Sequence, residues 1–265
     1  MPPESSPVLS ASQLQQFIEQ GFVRLDDAFP KEVAAEARAL LWKDTGCSPD
    51  DPSSWTRPVV RLGEYTQDVF RRAANTPRLK AAYDQLVGFE RWWPRMSLGS
   101  FPVRFPSTEN PGDDGWHVDV SFPPPGGTDS FFEWRSNVST QGRALLMLFL
   151  FSDVGESDAP TRLRVGSHHD VARMLAPMGD AGLSFMELAQ RMEQTASRPE
   201  ALATGDAGTV YLCHPFIAHA AQPHRGTRPR FMAQPPLFPR KPFDLEKDDC
   251  PLVVAIRQAL ATTKA

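Results

Sequence analysis

The side chains with the clearest chemical potential are a histidine and an aspartate two positions apart, His117 and Asp119. In an extended strand, residues i and i+2 point to the same face and lie about 6–7 Å apart along the chain. An imidazole nitrogen and a carboxylate oxygen at this spacing can reach one metal ion. A histidine from a distant strand would complete a triad of two histidines and one carboxylate, which leaves three octahedral positions open and suits non-haem Fe(II). Such pairs also arise by chance, so the pair alone does not establish a metal site.

A second group of candidate residues lies in the segment 205–230, which contains two histidines around one turn and several arginines near its end. His214 and His219 are the candidates for the remaining metal ligand. Arg228 and Arg230 are candidates for binding a carboxylate, because a guanidinium group offers a planar fork that matches both carboxylate oxygens. The segment by itself does not choose within either pair.

The order of these residues resembles the phytanoyl-CoA dioxygenase family of Fe(II)- and 2-oxoglutarate-dependent oxygenases. The His-x-Asp pair is followed after a long gap by a histidine at 219, and shortly afterwards by an arginine at 230. The stretch 151–169 resembles the central segment of the family, and the opening 21–25 resembles its start. The motifs are short, but they occur in the family's order over about residues 10–260.

This resemblance implies a set of ligands. The iron ligands would be His117, Asp119 and His219, while His214 would belong to a histidine-proline turn that precedes the ligand in the family. Arg230 would bind the distal carboxylate of 2-oxoglutarate, with Arg228 as the fallback. Fe(II), 2-oxoglutarate and O2 are therefore the expected cofactor and co-substrates.

The resemblance also implies less specific roles around the cavity. Arg104 and Phe149 would lie beside 2-oxoglutarate, although a sheet-edge salt bridge and core packing are the ordinary uses of such residues. Arg162 and Trp134 would contact the substrate, and Arg162 would do so through a substrate carboxylate. Ala221 departs from the family, in which serine is common at this position and donates a hydrogen bond to the co-substrate.

The reaction implied by the family is hydroxylation of an unactivated C–H bond of a small carboxylated or natural-product substrate, with succinate and CO2 as co-products. Related halogenases have a small residue at the position of Asp119, so a carboxylate there predicts hydroxylation, desaturation or ring closure rather than chlorination. Two alternatives stay open. One is a jelly-roll metalloprotein that uses another divalent metal for non-oxidative chemistry, since two histidines and a carboxylate also bind zinc. The other is a non-catalytic, ligand-binding relative.

Hydrophobic periodicity predicts the elements that position these residues. Predicted helices cover residues 12–20, 31–42, 77–88 and 251–260, with inserted helices at 169–174 and 184–194. Predicted strands cover residues 22–25, 100–104, 143–151, 161–165, 208–213, 217–221 and 230–234. Proline clusters separate the strands, because proline lacks the N–H group that a sheet requires.

Helices followed by many short strands predict the α+β class, with a β-sandwich or jelly roll buttressed by helices. The resemblance specifies this core as a cupin-like double-stranded β-helix, with N-terminal and inserted helices packed around it. One domain is expected over residues 1–265, with residues 1–9 as a flexible tail. The loops 107–116 and 123–140 are expected to form a lid, because loops of this length are uncommon unless they are functional.

Composition restricts the partners. The 265 residues have a formal net charge of −4, with 41% hydrophobic and 23% charged residues, which fits a globular domain and argues against a nucleic-acid-binding surface. Three cysteines argue against a disulfide framework. The longest apolar stretch, Ala144–Phe151, is far shorter than the roughly 20 residues of a membrane span. A cytoplasmic enzyme that acts on a small molecule is expected, and its oligomeric state stays open.

Overall fold

The computed structural model describes residues 7–262, which form a mixed structure of helices and short antiparallel strands. The α-helices are α1 (Ala11–Gln20), α2 (Lys31–Thr45), α3 (Asp68–Ala74), α4 (Pro77–Val87), α5 (Ser167–Leu175), α6 (Phe185–Ala189) and α7 (Pro251–Ala261). The strands are β1 (Phe22–Leu25), β2 (Val59–Leu62), β3 (Phe101–Arg104), β4 (Arg135–Ser136), β5 (Leu145–Leu150), β6 (Arg162–Arg164), β7 (Leu183–Ser184), β8 (Glu200–Leu202), β9 (Val210–Cys213), β10 (His219–Ala220), β11 (Met232–Ala233) and β12 (Pro236–Leu237).

Two sheets form the centre of the molecule. The larger sheet has the order β1-β9-β5-β11, and β12 also pairs with β5. The smaller sheet has the order β10-β6-β8, and the pairs β2-β3 and β4-β7 lie outside both sheets. Every one of these pairings is antiparallel, and each joins strands that are far apart in the sequence.

Strand β5 divides the core into two parts because its side chains alternate between the two faces of the larger sheet. Leu145, Met147 and Phe149 belong to a large cluster with the helices. The intervening leucines, Leu146 and Leu148, belong to a smaller cluster that also contains residues of the second sheet. Both faces of β5 are therefore buried, as its continuous run of apolar residues predicts.

Local signals explain where several elements begin and end. Ser10 caps α1, forming reciprocal hydrogen bonds with Gln13. Gly21 ends this helix in the left-handed conformation, at φ 86°, which glycine adopts without steric cost. Thr76 caps α4, and Pro77 occupies its first turn, where no N–H partner is needed.

The prediction of a mixed helix and strand structure is confirmed, and the strand Phe22–Leu25 has the predicted bounds. The predictions omitted β2 and α3, which lie between the second and third predicted helices. The inserted helix predicted at 184–194 is shorter than expected, because α6 ends at Ala189 and a 3-10 turn follows over Met192–Thr195.

The predicted N-terminal tail lies partly outside the described residues, since residues 1–6 are not described. Val8 and Leu9 donate backbone hydrogen bonds to the Gln85 side chain, and Leu9 is buried, so the chain is already anchored at these positions. None of the helices within residues 7–262 combines the length and the apolar character that crossing a bilayer requires.

Candidate metal centre and its cavity

Three side chains predicted as metal ligands lie together. One ligand atom from each of His117, Asp119 and His219 can be chosen so that all three atoms lie within 4.8 Å of one another. The Nε2 atoms of the two histidines lie 3.9 Å and 3.8 Å from the same carboxylate oxygen, Asp119 Oδ1. These distances are too long for hydrogen bonds, so the three groups converge without bonding to each other.

Backbone pairing sets the separation of the two histidines. His117 and His219 form an isolated antiparallel bridge, in which each backbone N–H donates to the carbonyl of the other at 3.0 Å and 2.9 Å. His219 belongs to β10, which pairs with β6 through Leu163. The extended backbone from His117 to Asp119 turns the carboxylate towards the two imidazole rings, as the spacing predicts.

Backbone carbonyls determine the tautomer of each imidazole. His117 Nδ1 lies 2.9 Å from the Gly115 carbonyl, and His219 Nδ1 lies 3.2 Å from the Ile217 carbonyl. Because a carbonyl only accepts, each Nδ1 carries the proton and each Nε2 presents a lone pair. Burial lowers the pKa of His219 to about 4, so this ring is neutral near pH 7.

A buried arginine holds the carboxylate. Arg143 Nη1 lies 3.2 Å from Asp119 Oδ2 as an ion pair, and its Nη2 donates to the Val120 carbonyl. Burial opposes ionisation of Asp119, but the charge of Arg143 outweighs it, together with the two histidines when they are protonated at low pH. The pKa of this carboxyl is therefore held below its usual value. The sequence predicted Arg143 only as the start of a strand, since nothing in its spacing signals a contact with Asp119.

The donor set fits a divalent transition metal. Two imidazole nitrogens and one carboxylate oxygen face one point, and the carbonyl contacts behind the imidazoles are typical of metal-binding histidines. The same set matches the two-histidine, one-carboxylate triad of non-haem iron sites. His117, Asp119 and His219 are therefore the residues that would hold the ion.

Arg230 and Arg104 lie side by side in the same cavity. Their backbones form another isolated bridge, and both side chains are almost fully buried. Arg104 donates to both carboxylate oxygens of Asp113 at 2.7 Å. Arg230 donates to the carbonyls of Ala159 and Pro102, and its Nε lacks a hydrogen-bond partner. Burial and the charge of Arg104 lower the pKa of Arg230 to about 9, so it stays protonated near pH 7.

For each pair of candidates in the segment 205–230, only one residue lies in the cavity of the triad: His219 rather than His214, and Arg230 rather than Arg228. His214 is buried away from the triad, where its Nδ1 accepts a hydrogen bond from Phe216 N and its Nε2 lies 3.3 Å from the Leu252 carbonyl. Arg228 is exposed and lines a different cleft, whereas Arg230 lines the cavity that contains the triad.

The cavity around the triad has a volume of about 680 Å³, which lies in the range of small-molecule sites. The lining combines three arginines and an aspartate beside the triad with a group of aromatic and aliphatic side chains. Its lining comprises Arg61, Pro102, Arg104, Gly112, Asp113, Gly115, Trp116, His117, Asp119, Phe131, Phe132, Thr161, Phe185, Met186, Ala189, His219, Ala221, Arg230 and Gln234.

Three predicted contacts do not line this cavity. Phe149 packs against Phe29 in the helix-facing core, because its position on β5 turns it away from the triad. Trp134 packs on the hydrophobic core and contacts Phe131, which lines the cavity in its place. The guanidinium of Arg162 donates hydrogen bonds to the backbone carbonyls of Ala221 and Asp114 and therefore binds the backbone beside the cavity.

Sequence reasoning missed the apolar side of the cavity. Phe131 and Phe132 come from the predicted lid segment 123–140, but they were not singled out. Phe185 and Met186 begin α6, which was predicted as a helix without a place in the site. A Phe-Phe pair in a long loop and a Phe-Met pair at a helix start were the available signals, because a loop seldom exposes such residues without a use.

Comparisons with known proteins identify the family of the chain. The family model for phytanoyl-CoA dioxygenase (PhyH) matches residues 17–232, as the sequence predicted. No curated protein sequence matches the chain at a significant level.

Solved structures of similar fold include HygX from Streptomyces hygroscopicus with nickel and 2-oxoglutarate bound, at 18% identity, 85% coverage of both chains and a TM-score of 0.54. Another is SnoK, a non-haem α-ketoglutarate-dependent carbocyclase from nogalamycin biosynthesis, at 18% identity, 87% and 84% coverage and a TM-score of 0.56. A third is EctD from S. alaskensis in its apo form, at 20% identity, 88% and 78% coverage and a TM-score of 0.54.

Proposed function

We propose that this chain, which belongs to the phytanoyl-CoA dioxygenase family, is an Fe(II)- and 2-oxoglutarate-dependent dioxygenase that hydroxylates a C–H bond of a small molecule. One observation carries the proposal: the triad of His117, Asp119 and His219 shares a cavity with a buried arginine, Arg230, that pairs with no carboxylate of residues 7–262. The nickel, iron and 2-oxoglutarate bound to HygX support the same cofactor and co-substrate.

The overall reaction converts the substrate C–H bond, O2 and 2-oxoglutarate into a C–OH group, succinate and CO2. One oxygen atom enters the product and the other enters succinate, while the decarboxylation of 2-oxoglutarate supplies two electrons. The iron would supply O2 activation and C–H cleavage, which protein side chains alone do not perform. The protein's own groups would bind, orient and shield the reactants.

Each residue of the site has a defined task in this proposal. His117, Asp119 and His219 would hold the iron, and 2-oxoglutarate and O2 would react beside it in the cavity. Arg230 would bind the distal carboxylate of 2-oxoglutarate, since its side chain is charged and its Nε is free. Arg104 would lie next to that carboxylate and, through Asp113, fix the position of the loop 107–116.

Several finer assignments belong to the same proposal. The two antiparallel sheets would form the double-stranded β-helix of the family, within a single domain that includes the helices. The substrate would be a small molecule, either carboxylated or a natural-product intermediate, and not a nucleic acid or a membrane lipid surface. Asp119 would exclude a halide from the metal, so the product would be hydroxylated, desaturated or cyclised rather than chlorinated.

Anaerobic reconstitution tests the proposal. Fe(II) and 2-oxoglutarate added to the metal-free protein should give a weak visible metal-to-ligand charge-transfer band, and O2 should then release succinate. Arg230→Lys keeps the charge but loses the planar fork, so we expect 2-oxoglutarate affinity to fall by about tenfold or more.

Arg228→Lys is the matched control, because Arg228 lies two residues away and is exposed. This variant should leave 2-oxoglutarate binding unchanged. A wild-type protein that binds Fe(II) without the band and releases no succinate would favour non-oxidative metal chemistry. Equal losses in the two arginine variants would remove Arg230 from the co-substrate site.

A further inference from the structure

We propose that the substrate is an uncharged, ring-containing hydrophobic molecule, bound by an apolar wall formed by Phe131, Phe132, Phe185 and Met186. This inference rests on the proposed function and specifies the substrate class of the same cavity. The proposed function allows either a carboxylated molecule or a natural-product intermediate, and this inference favours an apolar ring compound over a carboxylated one.

The wall is a continuous aromatic surface that ends at the metal site. The Phe185 ring lies 5.7 Å from the Phe131 ring and 5.6 Å from the Phe132 ring, measured between centroids. The same ring lies 5.8 Å from the imidazole of the predicted ligand His117. A molecule resting on these three phenylalanines would therefore extend directly to the ligand atoms.

The wall exposes far more apolar surface than the core residues around it. Phe131, Phe132 and Met186 are 44%, 58% and 49% exposed, although all three line the cavity. Adjacent exposed apolar side chains are costly in water and commonly mark a binding surface. Because these side chains line the cavity of the triad and two of them contact Phe185 beside His117, we infer that the substrate covers the surface they expose.

Apart from Arg230, each arginine among the described residues that line the cavity already pairs with a carboxylate, for which a substrate carboxylate would have to compete. Among the described residues that line it, Arg61 and Arg104 both pair with Asp113. Arg230 is the third lining arginine and is assigned to 2-oxoglutarate. Arg162, the residue first expected to bind a substrate carboxylate, donates to backbone carbonyls instead. Burying an unpaired carboxylate here would be unfavourable.

Flat aromatic side chains favour a ring over a flexible chain. The Phe185 ring is inclined at 51° to Phe131 and at 65° to Phe132, so the wall offers both ring faces and ring edges. Aromatic pairs in offset or edge-to-face arrangements gain more than their buried area accounts for. A rigid ring system also loses less conformational freedom on binding than an alkyl chain.

A neutral fluorescent probe, N-phenyl-1-naphthylamine, tests the wall. It is titrated into the protein loaded with Ni(II) and 2-oxoglutarate, in which no turnover occurs. The double variant Phe131→Ala/Phe132→Ala should weaken probe binding by about tenfold or more, because two large apolar contacts are lost. Met186→Glu, at a half-exposed position, should weaken it similarly by placing a charge on the wall, whereas Met186→Leu should not.

Phe89→Ala is the matched control, because Phe89 is 62% exposed but does not line the cavity. It should change probe affinity less than twofold. Displacement of the probe then compares 2-naphthalenemethanol, 2-naphthoate and 1-decanol. The neutral ring compound should displace it at least about tenfold better than either of the others.

The outcomes separate this inference from the proposed function, because 2-oxoglutarate binding is measured by calorimetry in the same variants. Unchanged 2-oxoglutarate binding together with weakened probe binding supports the inference. Unchanged probe affinity in the wall variants would overturn the inference, and so would equally good displacement by 2-naphthoate or 1-decanol. Neither result would contradict the oxygenase assignment. If the wild type is a dimer and the double variant is a monomer, the wall is a subunit interface, and this result would also overturn the inference. Failure of the wild type to bind 2-oxoglutarate would instead contradict the proposed function.

Discussion

Two groups of histidines in this protein are equally crowded, but only one of them is suited to a metal. The rings of His117 and His219 lie 4.3 Å apart. Away from the cavity, the rings of His168 and His169 lie 4.0 Å apart, and His168 lies 5.0 Å from His214. Proximity of imidazoles therefore does not distinguish the two groups.

The difference lies in what the ring nitrogens face. In the first group, backbone carbonyls take the Nδ1 protons and leave both Nε2 lone pairs turned to Asp119. In the second group, His214 faces protein partners through both nitrogens, at Phe216 N and at the Leu252 carbonyl. Asp170, which follows His168 and His169 on α5, pairs with Arg173 and Arg198 and not with a histidine. Although His168 Nδ1 and His169 Nε2 also lack hydrogen-bond partners, only the first group combines free ring nitrogens with a carboxylate that faces them.

The largest expected effect follows from removing that carboxylate. Asp119→Ala should weaken Fe(II) binding by more than about a hundredfold, beyond the range typical of residues that only support a ligand. His214→Phe keeps an aromatic ring in the second group and should leave Fe(II) affinity within about twofold. Competition with a chromophoric chelator measures both affinities. A comparable loss in the His214 variant would show that the second group also takes part in metal binding.

A smaller effect is expected from the arginine behind the carboxylate. Arg143→Leu should weaken metal binding by about tenfold, because Asp119 would lose the group that orients it and favours its ionised form. Arg143→Lys should recover part of this affinity, since it restores the charge without the fork. Tighter metal binding in the leucine variant would show that Arg143 acts mainly by repelling the cation.

The smallest effect is a pH dependence carried by the second group. Burial lowers the pKa of His214 to about 3 from an ordinary value of 6.5. The unfolded chain therefore binds a proton below pH 6.5 that the folded protein does not, and stability is lost as the pH falls. We expect His214→Phe to reduce the slope of unfolding free energy between pH 6.5 and 5 by at most about 1.4 kcal/mol per pH unit. Urea unfolding at pH 7, 6 and 5 measures this slope, and an unchanged slope would mean that His214 does not titrate on unfolding.

The parts that the sequence predicted well are those with strong local patterns. The convergence of His117, Asp119 and His219 follows from a two-residue spacing and a family order, and the apolar run of β5 lies within its predicted bounds. Gly21 ends α1 at the predicted residue because its positive φ is a local property.

The parts that the sequence did not predict depend on contacts between distant segments. Arg143 meets Asp119 only because two loops approach each other. Phe149 was assigned to the cavity, but the two faces of β5 are both apolar, so alternation gives no sign of which face lies nearer the triad. Phe185 lies at the start of α6 and contacts His117 in the cavity. The spacing of residues in the sequence does not predict this contact between distant segments.

The backbone bridge between His117 and His219 has a consequence for how this protein can change over evolution. The separation of the two imidazoles is fixed by main-chain hydrogen bonds, which depend little on side-chain identity. Insertions or replacements in the loop 123–140 and around α6 can therefore alter what the cavity accepts without shifting the register of the ligands. New specificities would be acquired in the segments that carry the phenylalanines, while the reactive centre is inherited unchanged.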